Sequence, residues 1–152
     1  MPERFASAMM FLTKGYSQNL TNVLMRASSA TILRKGTFNH TVLQCHATYH
    51  ARKIYIGYVP NGRVLGISKL ARITEVYARC LRVQECLTQD VAHAIQNILN
   101  PRGVSVIIEA SHVCMIMRGV EEMGAVTTTC CMTGVLLQGN AAKQDFYSLL
   151  SL

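Results

Sequence analysis

Two stretches of helical period stand back to back between two strand-like runs, and no other feature of the chain constrains its fold so tightly. The run "KIYIGYV" at 53–59 alternates apolar and polar positions from Ile54 to Val59, as a strand with one covered face does. After it, Leu70, Ile73, Val76, Tyr77 and Leu81 recur at helical spacing, and so do Leu87, Val91, Ala94, Ile95 and Ile98. The run "VSVIIEA" at 104–110 is again β-branched. An apolar stripe on each of two neighbouring helices has to be buried against something. The strands on either side supply an antiparallel sheet, so the order predicts an α+β domain with both helices on one sheet face.

The remaining elements fit around that frame. Phe5, Ala8, Met9 and Leu12 fall at i, i+3, i+4 and i+7, which predicts an amphipathic helix over 2–12 with Pro2 in its first turn and a turn at Gly15. "PNG" at 60–62 reads as a turn, and "RVLGI" after it as a second strand closing a hairpin. Ser68 is a natural N-cap for the first long helix. "NPRG" at 100–103 stops the second. "SHVCMIMRG" at 111–119 extends the strand before it or pairs with it. "AVTTTCCMTGVLL" at 125–137 reads as a further strand, its threonines and cysteines on alternate sides and without assigned chemistry. Asn140 caps a last helix at 141–150. Residues 26–52 show no clear period; His40, His46 and His50 crowd into them, and no Asp or Glu occurs between Glu3 and Glu75.

Composition narrows the function classes. At 152 residues and 50% hydrophobic, the chain is long enough and apolar enough for a real core. No apolar run reaches membrane-span length, and "MPERFASAMMFL" lacks a secretory layout, so a cytoplasmic protein without membrane partners is expected. The six cysteines then read as thiols or metal ligands, and without a CxxC pair they exclude a zinc ribbon. The net charge of +7 fits either a solvated basic surface or a polyanionic ligand. The basic residues are scattered and there is no Trp, which argues against nucleic acid as the partner.

Three clusters carry possible chemistry. Lys69 and Arg72, at i and i+3 beside Ser68, share a helix face near an N-terminus, where unpaired N–H groups favour an anion; solvated cations and a plain cap explain them equally well. Gln84 and Glu85 form either an ordinary helix start or an amide and carboxylate able to read the N–H edge of a guanine. His112, Cys114 and Arg118 lie even numbers apart, so a strand would turn all three to one face. Thiolate and imidazole are zinc ligands, though Cys114 also fits a buried apolar position.

Taken together and in order, "IGYVPNGRVLGISKLARI", "VQECLTQDVA", "NPRGVSVIIEASHVCMIMRGV" and "TTTCCMTGVL…DFYSLL", with "PERFASAMMFLTKGY" ahead of them, resemble the GTP cyclohydrolase I family. The resemblance implies the tunnelling fold over a single domain spanning 1–152, and rings of subunits stacked into a homodecamer with sites between neighbours. It implies zinc-dependent hydrolytic opening of the GTP imidazole ring at C8, releasing formate and giving 7,8-dihydroneopterin triphosphate for tetrahydrobiopterin or tetrahydrofolate synthesis. By matching position, Cys114 is a zinc ligand and His112 a catalytic histidine. Gln84 and Glu85 hold the guanine, and Ser68, Lys69, Arg72 and Arg118 hold the triphosphate with help from Arg4.

The chain departs from the family in one place. The family's Cys-Glu-His-His block, some ten residues before the "KIYIGY" strand, brings two further zinc ligands and a proton-transferring histidine. Counting back from Lys53 without a gap sets Leu43, Gln44, Cys45 and His46 in its place. A two-residue shift brings Cys45 to the ligand cysteine and Thr48 to the ligand histidine. Cys45 and His46 are therefore the candidate ligands to join Cys114, with His50 behind them. A shifted reading frame, an alternative splice or a diverged paralogue would each produce such a break over 26–52. The alternative to an active enzyme is a family member that binds GTP, or assembles with an active paralogue, without turning GTP over.

Overall fold

The structure, a computed structural model, describes residues 2–25, 39–47, 50–112, 115, 124–138 and 141–150; for 23–25, 39–47 and 50–52 it describes the backbone. Helix α1 (Pro2–Leu12) runs into a 3-10 turn at Lys14–Ser17 and a short α2 (Leu20–Met25). Strands β1 (Asn39–Ala47) and β2 (His50–Val59) follow, then α3 (Ile67–Ala78) and α4 (Gln84–Leu99). Strands β3 (Gly103–His112) and β4 (Thr127–Met132), a 3-10 turn at Gly134–Leu136 and α5 (Ala141–Leu150) complete the chain.

The four strands form one antiparallel sheet in the order β1-β2-β3-β4. This is the predicted α+β arrangement. Ile54, Ile56 and Tyr58 of β2 and Val104, Val106 and Ile108 of β3 alternate onto one face. There they meet Leu70 and Ile73 of α3 and Leu87, Val91 and Ile95 of α4 in a single core. Each fully buried aliphatic side chain contributes about 1.5–3 kcal/mol of transfer free energy. Ile95→Ala, at a position with no exposure, is expected to cost about 2–5 kcal/mol in a denaturant titration.

Several local expectations need correction. Residues 39–47, which show no sequence period, form an edge strand paired along its whole length with β2. The second hairpin strand does not form beyond a single bridge at Val64. The Leu65 N–H goes instead to the buried Tyr58 hydroxyl at 3.0 Å, which commits the chain to helix entry. That helix begins two residues before the position expected from Ser68. Gly66 is the N-cap, its carbonyl accepting from the Lys69 and Leu70 N–H groups at 2.9 and 3.4 Å, and Ser68 sits exposed in the first turn. The last strand ends at Met132 and hands over to the turn at Gly134. Asn140 lies outside the described residues. The stop at "NPRG" holds: Asn100 takes the left-handed conformation (φ 47°) and returns its N–H to Gln96.

Between α3 and α4, Arg82 pairs with Asp90 of α4 and lies 5.6 Å over the Tyr77 ring of α3, tying the short connection to both helices. The turn expected at Gly15 also forms, and it requires glycine. A Cβ there would lie 2.3 Å from the Val76 carbonyl oxygen and 2.9 Å from that of Arg79, both backbone atoms at the end of α3. Gly15→Ala is therefore expected to lower stability by about 1–3 kcal/mol, read as a drop in melting temperature.

Candidate active site

The sheet and α4 meet at the C-terminal end of β3, and His112 sits there. Its Nε2 lies 2.9 Å from Oε1 of Gln84, the first residue of α4. Gln84 is buried, at 5% exposure. Its side-chain nitrogen donates to the carbonyls of Ile108 on β3 and Thr127 on β4, both at 2.9 Å, and approaches Thr129 Oγ1 at 3.2 Å. One amide thus joins the first turn of α4, two strands and the imidazole.

Two threonines extend the network. Thr88 Oγ1 donates its single hydrogen to the Gln84 backbone carbonyl at 2.8 Å, one turn back along α4. Its 2.7 Å contact with Thr129 Oγ1 must then be donated by Thr129. Thr129 in turn accepts from the Gln84 amide, which closes a ring of hydrogen bonds through Gln84, Thr129 and Thr88. Sequence reasoning gave these threonines no role. The available signal was Gln84 and Thr88 at i and i+4 opposite a strand threonine. Thr129→Val is expected to cost about 0.5–1.5 kcal/mol, the net worth of the hydrogen bond it gives Thr88, again read by thermal melting.

Glu85, next in α4, is exposed in the first turn of a helix with no side-chain cap. Its carboxylate is favoured there by the helix dipole and remains accessible. On α3, Lys69 is buried and Arg72 exposed. Burial, and then the nearby Arg72 charge, hold the Lys69 ammonium below the usual lysine range. A guanidinium close enough to disfavour the Lys69 ammonium makes a cationic pair that an anion would relieve. Arg4 is exposed on α1. Cys114 and Arg118 lie outside the described residues.

The backbone register locates the candidate ligands of β1. His50 pairs with His112, Arg52 with Ala110, Cys45 with Arg52, and His46 with Ala51. Positions directly opposite share a sheet face. The register positions of Cys45 and His50 therefore fall on the face of His112, and that of His46 on the other. Among the described residues, no three His, Cys, Asp or Glu gather into a metal-binding group. In kind, the thiolates and imidazoles on offer suit zinc.

On the opposite sheet face, the Tyr55 hydroxyl donates to Glu109 Oε2 at 3.2 Å. Burial, then the Glu109 charge and this bond, push the phenol above its usual range. The pair braces β2 against β3 behind the site.

Comparison with known proteins gives this arrangement its context. A sequence model of GTP cyclohydrolase I matches residues 1–151. The chain is 42% identical to GTP cyclohydrolase 1 of Chlorobium chlorochromatii, with 98% of this chain and 69% of that protein aligned. It is 42% identical to the enzyme of Methylococcus capsulatus, covering 83% of it, and 42% identical to the human one, covering 62%. A match that runs through both helices, the β3 terminus with His112, and the departing segment before Lys53 leaves one conclusion: the chain belongs to the GTP cyclohydrolase I family.

Proposed function

We propose that this chain catalyses the family's reaction, the hydrolytic opening of the GTP imidazole ring at C8 with release of formate and formation of 7,8-dihydroneopterin triphosphate. The observation that carries the reading is the His112–Gln84 bond, which ties an imidazole at the sheet terminus to the residue that precedes the exposed Glu85. Lys69 and Arg72, with Ser68, Arg118 and Arg4 by position in the family, bind the triphosphate and fix the base relative to His112. Glu85 accepts the guanine N–H groups. His112 moves protons during ring opening and the rearrangement that follows.

Cys114 and Cys45 are the residues we assign to a zinc ion; Cys45 is preferred over His46 because its register position shares the His112 face. Zinc, when bound, supplies a Lewis acid and lowers the pKa of water. Homo-oligomeric assembly with sites between subunits, and a cytoplasmic location, are part of the same proposal. Among the described residues no helix is long and apolar enough to cross a membrane.

The altered ligand block supports a second reading, a family member that binds GTP or co-assembles with an active paralogue without turnover. The deciding experiment is GTP turnover by the purified, zinc-supplied protein, following formate release. Formate and dihydroneopterin triphosphate in equal amounts establish the enzyme. Tight GTP binding without formate from a folded assembly establishes the second reading.

A further inference from the structure

The Gln84 side chain is an amide with every polar atom engaged inside the protein. Its two N–H hydrogens face the Ile108 and Thr127 carbonyls, with Thr129 sharing the second. This fixes which way round the amide stands, because the opposite orientation would set an oxygen against two carbonyl oxygens. Oε1 must then face His112, and an oxygen without hydrogen can only accept. The His112 Nε2 therefore carries the hydrogen in the 2.9 Å bond, and the lone pair of the neutral ring falls on Nδ1.

We propose that Gln84 is a positioning residue for His112: it selects the Nε2–H tautomer and the ring orientation, and it does not read the guanine base. The proposal rests on His112 acting in the site described above. The glutamine can perform this task because it is locked itself. Two backbone carbonyls from adjacent strands hold its nitrogen, and the Thr88–Thr129 ring holds its position at the head of α4. A residue reading the substrate needs a polar atom directed at it. Gln84 has both of its polar atoms turned inward and 5% of its surface exposed. Glu85 is left as the base-reading member of the pair.

The test uses the full chain labelled with 15N-histidine, at a pH above about 8 where an ordinary imidazole is neutral. The His112 signals are identified by their loss in His112→Asn. The expected wild-type spectrum shows His112 protonated at Nε2, and Gln84→Leu is expected to produce a mixture of tautomers. In parallel, GTP and inosine triphosphate affinities are measured by calorimetry. Their ratio, which reports recognition of the guanine amino group, is expected to stay within about twofold of wild type in Gln84→Leu, while kcat falls about 10–100-fold with KM little changed. Protonation at Nδ1 in the wild type, an unchanged His112 spectrum in the variant, or a tenfold loss of the GTP preference would each overturn the proposal. If Gln84→Leu does not fold, Thr129→Val leaves the glutamine in place and removes one anchor of its amide. A shift of the His112 signals toward mixed tautomers then supports the positioning role, and an unmoved spectrum rejects it. A wild type without turnover defeats the proposed enzymatic function alone, because the spectrum and the affinity ratio decide the role of Gln84 without it.

Discussion

His112→Asn is expected to lower the rate of formate release from GTP by about 10²–10⁴-fold, the range for removal of a proton-transferring group. The asparagine amide stops at the level of the ring Nδ1, so the variant loses the Nε2 bond to Gln84 Oε1 together with the group that can gain and lose a proton near neutral pH. GTP affinity is expected to stay within about threefold, because the loss falls on the chemical step and not on ground-state binding. Single-turnover formate release and calorimetric binding on the same preparation check both halves. Turnover within about threefold of wild type would remove His112 from the proton-transfer role.

Lys69→Ala and Arg72→Ala are each expected to weaken GTP binding by roughly 10–150-fold, the equivalent of one charge-assisted contact to phosphate. Guanosine, which lacks the phosphates, should bind both variants as it binds the wild type. The Lys69 contribution also carries a pH signature. Burial and the Arg72 charge lower its pKa, so its ammonium is lost at a lower pH than that of an ordinary lysine. Phosphate binding favours the ammonium, and affinity therefore falls as pH rises through that lowered value. Lys69→Arg keeps its charge throughout and should abolish this alkaline decline. The sign for folding is opposite. The unfolded chain binds the proton more tightly than the folded one, so the Lys69 contribution to stability improves as pH rises from the lowered value toward the usual one. Calorimetric titrations across the alkaline range distinguish the two linkages.

The elements that were legible were those whose burial repeats along the chain. The stripe from Leu70 to Val76, the stripe from Leu87 to Ile98, and the alternation around Ile54 and Val106 each reflect one face packed into one core. Burial imposes its period on the residues, so the two helices on one side of a sheet could be read directly. Strand β1 could not. It is an edge strand whose backbone pairs with β2 along its length, and its sequence carries no such alternation. The start of α3 was displaced for a related reason. Ser68 satisfies a local capping rule, but the Tyr58 hydroxyl, seven residues back and buried in the core, takes the Leu65 N–H and advances the helix to Gly66.

The candidate site divides in the same way. Residue identity and order alone were enough to single out His112, Glu85, Lys69 and Arg72, because a carboxylate, an imidazole and two cations have chemistry that does not depend on where they finally sit. They were also enough to place the chain in its family. What Gln84 does was decided only by the tertiary structure. In the sequence it stands beside Glu85 and looks like half of a recognition pair. In the fold, the approach of α4 to β3 and β4 brings the Ile108 and Thr127 carbonyls to its nitrogen and His112 to its oxygen. Those partners lie 24, 43 and 28 residues away along the chain, and only packing the helix against the sheet brings them within hydrogen-bonding distance of one amide.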